Sequence, residues 1–139
     1  MTKTPPRIVI LGAGFAALTA ARELRKRAPQ ARLTLVAPKA EFVYLPSLIW
    51  IPSGLRKGSD LILPLETFLK DHAVEFIAGR VTGLKDGGRT VVTDIGEIQN
   101  DGLIIATGGR FIKKLPGIEH ALTLCEGVAS AEAIRDQVN

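Results

Sequence analysis

The chain has 139 residues, of which 46% are hydrophobic and 23% charged, a composition typical of one folded domain and not of a disordered chain. Cys125 is the only cysteine, which excludes a disulfide scaffold, and every apolar run falls short of the about 20 residues that a membrane-spanning helix requires. The net charge of +4 is spread over small clusters, so no nucleic-acid partner is expected, and without a clear signal-peptide cleavage site the expected location is the cytoplasm.

The N-terminal part of the chain predicts a βαβ unit. Residues 8–11 are continuously apolar, as in a strand buried on both faces of a parallel sheet. Residues 14–28 carry apolar side chains at helical spacing, and Pro29 ends the predicted helix. A second apolar strand follows at 33–36, so strand, helix and strand succeed one another over about 30 residues, as this unit requires.

Residues 37–63 contain several prolines and glycines and predict a long apolar loop without regular elements, of the kind that usually carries function. The elements expected after this loop are a helix at 64–72, strands at 74–77, 81–84, 89–92, 97–99 and 103–106, and a helix at 126–138. Glycine-containing turns separate the strands between 81 and 99, which predicts an antiparallel meander. The fold class is therefore α/β, a Rossmann-like domain whose parallel sheet receives an antiparallel β-meander insertion.

A glycine-rich turn of the form GxGxxA joins the first strand to the first helix. Gly12 would allow the sharp turn, Gly14 would let a pyrophosphate approach the backbone, and Ala17 would permit tight packing of the helix on the sheet. The preceding strand and the following amphipathic helix are the context in which this motif binds dinucleotides. The alternative is a structural glycine turn of another α/β protein.

The second strand ends without the acidic residue that usually binds ribose hydroxyls in such folds. Ala37 occupies that position, and Pro38 and Lys39 follow. Either backbone groups and water replace the carboxylate, or Lys39 or Glu41 reaches the ligand. The alternative interpretation of Lys39 is an exposed loop lysine.

Residues 103–109 form a second candidate site, a buried strand that ends in small residues. Ala106, Thr107 and Gly108 would let a ligand lie against the carboxyl end of this strand. The position of the segment after a GxGxxA turn and a meander strengthens this interpretation.

Together the βαβ unit, the meander and the Ala-Thr-Gly strand end resemble the N-terminal half of the FAD domain of the two-dinucleotide-binding flavoproteins, which include the pyridine nucleotide–disulfide oxidoreductases. The resemblance covers nearly the whole chain. Within this group the segment 41–47, followed by Trp50 and then by Leu63-Pro64-Leu65, resembles the sulfide:quinone oxidoreductases. Flavocytochrome c sulfide dehydrogenases and type II NADH dehydrogenases share much of this pattern.

The resemblance implies FAD as the cofactor. The cofactor-binding residues that it implies are Gly12, Gly14, Phe15, Ala17, Ala37, Lys39, Pro46, Ser47, Ala106, Thr107 and Gly108. The 12–17 turn would line the pyrophosphate, the 106–108 segment would contact the dinucleotide from the other side, and the 46–47 pair would lie along the flavin. Trp50 would contribute to the apolar surface that the loop offers to the flavin ring. The alternative is that Trp50 packs in a core or between domains.

Cys125 matches the position of one redox cysteine of the sulfide:quinone oxidoreductases, whose mechanism passes sulfide sulfur between cysteines and electrons through FAD to quinone. It would stand just before a helix, whose dipole lowers the pKa of a thiol. The alternative is a buried cysteine that acts as a small hydrophobic residue. His72 and His120 form no metal or triad pattern and are expected at the surface or at helix ends.

The resemblance also predicts that residues 1–139 are a partial FAD-binding domain, without the second dinucleotide domain and the C-terminal membrane-docking region. The parent would be an FAD-dependent oxidoreductase, cytoplasmic or peripheral to the inner membrane, whereas this chain alone would bind FAD weakly and be inactive. One alternative is a part of a type II NADH dehydrogenase-like enzyme. Another is a stand-alone nucleotide-binding or interaction module without redox activity, whose bare apolar surface would favour a homodimer or another partner.

Overall fold

A computed structural model of the chain describes residues 4–109 and 112–138. The chain divides into two compact units: the first comprises Met1–Glu41 and Pro64–Gly108, and the second comprises Phe42–Leu63 and Gly109–Asn139. In the described ranges no helix has both the length and the apolar character needed to span a bilayer.

The strands are β1 (Arg7–Leu11), β2 (Arg32–Ala37), β3 (Glu41–Val43), β4 (Ile62–Pro64), β5 (Val74–Ala78), β6 (Val81–Lys85), β7 (Thr90–Thr93), β8 (Gly96–Gln99) and β9 (Gly102–Ile105). The α-helices are α1 (Phe15–Arg27), α2 (Glu66–Asp71) and α3 (Val128–Val138). The predicted helices at 14–28 and 64–72 and the predicted strands therefore exist, with bounds shifted by a few residues.

A four-stranded parallel sheet forms the centre of the first unit, with the strand order β5-β2-β1-β9. β1 pairs with β2 in the register Ile8↔Leu33 and with β9 in the register Ile8↔Gly102. Because all four strands are parallel, their carboxyl ends lie at one edge of the sheet. The antiparallel sheet β6-β7-β8 is the predicted meander. The predicted α/β class with a meander insertion is confirmed.

The two faces of the parallel sheet are covered by different elements, which explains why residues 8–11 of β1 are continuously apolar. One face packs against α2 and against α1, whose Ala17 and Ala21 are fully buried. The opposite face packs against the meander, where Val91 is fully buried in a cluster with Val9 and Leu11. Both faces of the central strand β1 are therefore largely shielded from water, and apolar side chains are favoured at successive positions. The prediction that residues 103–106 form a buried strand is wrong, because β9 lies at the edge of the sheet, its residues are at most half-buried and Ile105 is exposed.

Arg25 joins the end of α1 to the segment before β5. Its guanidinium donates hydrogen bonds of 2.7–3.0 Å to the backbone carbonyl oxygens of Pro29, Ala31, His72 and Ala73. The rigid fork of arginine can serve several acceptors at once, which a lysine ammonium cannot do with the same geometry. The short connections at this end of the sheet are thereby tied together.

The prediction that residues 37–63 contain no regular element is wrong. β3 and β4 form a two-stranded sheet, and 3₁₀ helices span Leu45–Trp50 and Gly58–Leu61. Compact chains pair most of their backbone groups, and here the Tyr44 N–H donates to the Leu61 carbonyl at 2.9 Å. The proline of the first 3₁₀ helix stands in its first turn, where no N–H donor is needed.

The second unit has a core of its own, formed by Leu48, Ile51, Leu61 and Ala131. Gly58 permits the close approach of its 3₁₀ helix to α3, because a Cβ atom there would lie 2.3 Å from a Val128 methyl carbon. The last helix was predicted to begin at residue 126, but α3 begins at Val128. The reason is Gly127, whose φ of +94° lies outside the helical region and ends a separate 3₁₀ turn at Leu124–Glu126.

Candidate functional site

The order of the parallel strands reverses at β1. From β1 the chain passes through α1 to β2 on one side, whereas β9 pairs with the other side of β1. In open α/β sheets, ligands bind outside the carboxyl ends of the strands at such a switch point. The GxGxxA turn follows β1 and the Ala-Thr-Gly segment follows β9, so both sequence motifs lie at this edge.

Gly12 and Ala106 are in direct backbone contact. Gly12 has a φ of +109°, and a Cβ atom at this position would lie 2.3 Å from the Ala106 carbonyl oxygen. The Gly12 N–H donates to the Val36 carbonyl at 2.8 Å, and the Ala106 N–H donates to the Leu11 carbonyl at 2.9 Å. Glycine is therefore required at position 12 for two reasons: the backbone has a positive φ, and a side chain would collide with the Ala106 backbone.

Gly14 differs from Gly12, because nothing lies within 4 Å of the position that its Cβ atom would take. It is the N-cap of α1, with no side-chain cap and no acidic residue in the first turn. The first N–H groups of a helix lack acceptors within the helix and attract anions. The start of α1 therefore offers a pyrophosphate both open space and N–H groups that no side chain caps, and no acidic residue of the first turn would repel it. Phe15 is 51% exposed beside it, and Ala17 is fully buried against the sheet.

The segment after β2 holds the other residues predicted for the adenosine end. Ala37 is 4% exposed, and its carbonyl accepts a hydrogen bond of 3.0 Å from Gly79 N–H. Lys39 Nζ lies 3.8 Å from Glu41 Oε2, with 75% of the lysine side chain exposed. Lys39 and Glu41 are therefore a solvent-exposed pair, and neither is fixed by burial.

At the end of β9 the chain is open to solvent. Ile105 is 63% exposed, and Thr107 and Gly108 are exposed as well. Gly108 has a φ of +76°, a conformation that favours glycine. A ligand at this edge would meet small side chains and accessible backbone.

Pro46 and Ser47 lie in the 3₁₀ helix Leu45–Trp50 of the second unit. Pro46 is exposed and Ser47 is half-buried. Trp50 is 45% exposed and does not belong to the core of this unit, so the core-packing interpretation of Trp50 is wrong. Its role at a flavin or between domains stays a prediction.

Cys125 is exposed in the 3₁₀ turn Leu124–Glu126 of the second unit, so the interpretation as a buried hydrophobic residue is wrong. Glu126 and Gly127 separate it from the start of α3. The carboxylate of the adjacent Glu126 pairs with Lys113 Nζ at 2.7 Å. An accessible thiol beside an ion pair can meet a soluble reactant, which a buried thiol cannot.

The two histidines occupy the predicted positions. His72 follows α2, where its ring stacks on Phe68 at 4.2 Å and its Nδ1 bonds to the Phe68 carbonyl oxygen at 2.9 Å. His120 ends an exposed 3₁₀ turn. Within 4–109 and 112–138, no three His, Cys, Asp or Glu side chains are grouped as a metal site requires.

Arg80 is a candidate site residue that the patterns in the sequence did not indicate. It follows β5, which pairs with β2 in the register Ala37↔Ala78, so it lies at the same edge as Lys39. The residue is exposed, and its backbone N–H donates to Asp94 Oδ1 at 2.8 Å. The signal in the sequence was an arginine directly after a strand and a glycine, but only the strand order places it beside β2.

The sequence profile of the pyridine nucleotide-disulphide oxidoreductase family matches residues 6–139. The chain belongs to this family. A sulfide-quinone reductase of Aquifex aeolicus (strain VF5) is 30% identical over 117 residues, which cover 84% of this chain and 27% of that protein. A type II NADH:quinone oxidoreductase of Staphylococcus aureus (strain NCTC 8325 / PS 47) is 28% identical over 97% of this chain and 35% of that protein.

Solved structures agree with this assignment. The sulfide:quinone oxidoreductase of Aquifex aeolicus superimposes with a TM-score of 0.87 at 27% identity, covering 96% of this chain and 31% of that one. NDH2 from Plasmodium falciparum in complex with NADH superimposes with a TM-score of 0.78 at 19% identity, over 94% and 28% of the two chains, which shows the shared fold alone. The Rossmann-like fold is thus confirmed, and the chain spans about a third or less of these relatives.

Proposed function

We propose that this chain is the FAD-binding part of a flavin-dependent oxidoreductase that transfers electrons from sulfide to quinone. The contact between Gly12 and Ala106 carries the nucleotide-binding part of the proposal, because it joins the two small-residue motifs at the switch point of the sheet. The choice of sulfide and quinone is supported by the 30% identity to the sulfide-quinone reductase and the TM-score of 0.87 to a sulfide:quinone oxidoreductase.

In this proposal each segment of the site has one task. The cofactor-binding residues are Gly12, Gly14, Phe15, Ala17, Ala37, Lys39, Pro46, Ser47, Ala106, Thr107 and Gly108. The uncapped start of α1 would hold the pyrophosphate, the end of β2 the adenosine ribose, and the 46–47 pair the flavin. Bound FAD would supply a carrier that takes up two electrons from a donor and passes them on.

Cys125 is the proposed redox thiol. Its exposure supports this role, because sulfide chemistry at a thiol needs a sulfur atom that the reactant can reach. Replacement by serine would conserve size and exposure while removing the nucleophilic sulfur. In a longer enzyme that contains this chain, Cys125→Ser is expected to abolish sulfide oxidation and to leave flavin binding unchanged.

The remaining parts of the proposal concern the longer protein. Because the chain spans 27% and 35% of the two curated relatives above, we assign residues 1–139 to a partial FAD-binding domain. Quinone and sulfide would be partners of the complete enzyme, which would be cytoplasmic or peripheral to the inner membrane through its C-terminal region.

A second candidate is a type II NADH:quinone oxidoreductase. The observation that favours it is the 28% identity to such an enzyme over 97% of this chain. A third candidate is an interaction module without redox activity, which is supported by exposed apolar side chains in the second unit that could bind another copy of the chain. These side chains are Tyr44, Leu45, Ile49, Trp50 and Leu55.

The experiment compares the longer protein with the 139-residue chain. We expect the longer protein to show a flavin absorption band and to reduce quinone with sulfide, and the shorter chain to bind FAD weakly without turnover. Turnover or tight stoichiometric FAD binding by the shorter chain would contradict its description as a partial domain. Quinone reduction with NADH but not with sulfide would favour the second candidate, and absence of flavin from both proteins would favour the third.

A further inference from the structure

An ion pair lies directly beside the only thiol of the chain. Lys113 Nζ is 2.7 Å from Glu126 Oε1, and Glu126 is the residue that follows Cys125 in the 3₁₀ turn Leu124–Glu126. All three residues belong to the second compact unit, and the thiol is exposed. A reactant that reaches Cys125 from solution therefore meets the charges of Lys113 and Glu126.

A carboxylate next to a reactive thiol disfavours the approach of anions. Consecutive Cα atoms are about 3.8 Å apart, and charges in water act over a screening length of about 8 Å at physiological ionic strength. The negative charge of Glu126 therefore acts on a reactant at Cys125. Without a cation beside it, this charge would repel an anionic reactant and lower its concentration near the sulfur atom.

Lys113 offsets the charge of Glu126 at close range. Their separation of 2.7 Å is that of a charge-assisted hydrogen bond. The side chain of Lys113 is 32% exposed, whereas the side chains of Lys26, Lys39 and Lys85 are 57–75% exposed in their ion pairs. Its stem is therefore packed more closely against the protein, which holds the ammonium group at the carboxylate. Together the two side chains carry no net charge.

Resting on the role of Cys125 proposed above, we infer that Lys113 allows an anionic reactant to approach this thiol, because it neutralises the adjacent Glu126. The reactant class is a small sulfur anion, and sulfide near neutral pH is in large part the hydrosulfide anion. Lys113 is a positioning residue in this inference: it acts through Glu126 and has no assigned contact with the reacting sulfur atoms.

The test compares two alkylating reagents of similar size, the anion iodoacetate and the neutral iodoacetamide. Cys125 is the only cysteine, so the loss of free thiol in the 139-residue chain reports this sulfur atom alone. Both reagents react with the same thiolate, so the ratio of the iodoacetate rate to the iodoacetamide rate does not depend on how much thiolate is present. A substitution that only changes the exposure of the thiol alters both rates and leaves this ratio unchanged.

Lys113→Gln is expected to lower this ratio about threefold, because a unit charge at about 7 Å in water changes the free energy of an anion by about RT. Glu126→Gln should raise the ratio by a similar factor. The double variant should return to the ratio of the wild type, since the intact pair carries no net charge.

Lys114→Gln is the matched control, because Lys114 is the exposed lysine next to Lys113. It should change the ratio less than about 1.5-fold, since its charge is not held at Glu126. An unchanged ratio in Lys113→Gln, or an equal effect of the two lysine substitutions, would overturn the inference. The proposed function would then stand, because the assay involves neither flavin nor sulfide. Sulfide oxidation by Cys125→Ser in a longer enzyme would refute the proposed role of the thiol and the inference that rests on it.

Discussion

Gly12 and Gly14 belong to one motif but meet different physical demands. Gly12 is held by the protein itself, through its φ of +109° and its backbone contact with Ala106. Gly14 has a φ of −88°, which any residue can adopt, and open space where a Cβ atom would lie. No neighbour among the described residues requires glycine at position 14, so a requirement for glycine there would have to come from a ligand, as proposed above.

Alanine substitution should separate these two demands. Gly12→Ala is expected to destabilise the protein by about 3 kcal/mol, because the new Cβ atom collides with backbone in a strained conformation. Gly14→Ala is expected to cost less than about 1 kcal/mol, as at other N-cap positions. Urea unfolding measures both values. Equal losses for the two variants would show that the contact at Ala106 is not what selects glycine at position 12.

Measurement of ADP binding provides a second test of the role of Gly14. If a pyrophosphate binds at α1, Gly14→Ala should weaken the binding of ADP although the protein remains folded, because its methyl group occupies the space of the ligand. Unchanged affinity in this variant would refute the position of the pyrophosphate.

At the scale of elements, an ion pair ties the amino-terminal ends of β1 and β9 together. Asp101 Oδ2 accepts the backbone N–H of Arg7 at 2.8 Å and Nε at 3.2 Å, and Asp101 Oδ1 accepts Nη2 at 3.1 Å. The side-chain hydrogen bonds from Arg7, and then its backbone N–H, lower the pKa of Asp101 from 3.8 to about 2. The carboxylate is thus held in its charged form where the two strands begin.

This shift has a defined consequence for stability. The folded pKa lies below the unfolded one, so the unfolded state binds more protons between pH 3.8 and pH 2. The contribution of Asp101 is complete above this window and is lost as the pH falls through it. We expect Asp101→Asn to show a smaller decrease of Tm over this window than the wild type, as measured by circular dichroism.

Asp71→Asn is the matched control, because Asp71 is an exposed acidic residue at the end of α2. It should retain the acid sensitivity of the wild type. An Asp101→Asn variant with the same pH dependence as the wild type would contradict the role of the Arg7–Asp101 pair.

Elements that follow from local pattern were predictable, and elements that follow from distant partners were not. The strand at 8–11 and the helix after Gly14 are evident from apolar runs and helical spacing. β3 and β4 have only three residues each, too few for a recognisable strand pattern, and they exist because they pair with each other. Similarly, the backbone conformation of Gly127, and not the helical pattern, sets the beginning of α3.

At the scale of the whole molecule, each compact unit has its own buried cluster. Ile10 is fully buried in the sheet of the first unit, and Ile51 is fully buried in the second. Both side chains leave a cavity when truncated, and Ile→Ala substitutions in cores cost about 2–5 kcal/mol. We therefore expect Ile10→Ala to destabilise mainly the first unit and Ile51→Ala to destabilise mainly the second.

Amide hydrogen exchange can test this expectation. Ile10→Ala should lower protection in β1 and β2, whereas Ile51→Ala should lower protection in α3. Ile112→Ala is the control, because this side chain is 73% exposed and should affect neither set of amides. An Ile51→Ala variant that lowers protection in the central sheet as much as in α3 would show that the two cores unfold as one.

The sequence by itself determined the class of fold and the two motifs of the proposed nucleotide site. Each of these features constrains residues that are close together in the sequence, so each is visible as a local pattern. The turn requires glycine, the packing of α1 on the sheet requires a small residue at position 17, and a strand buried on both faces requires a continuous apolar run. The tertiary structure alone decided that Gly12 touches Ala106, that Cys125 is exposed and that Arg80 lies beside the end of β2. These facts depend on strand order and on burial, which arise from contacts between residues far apart in the chain.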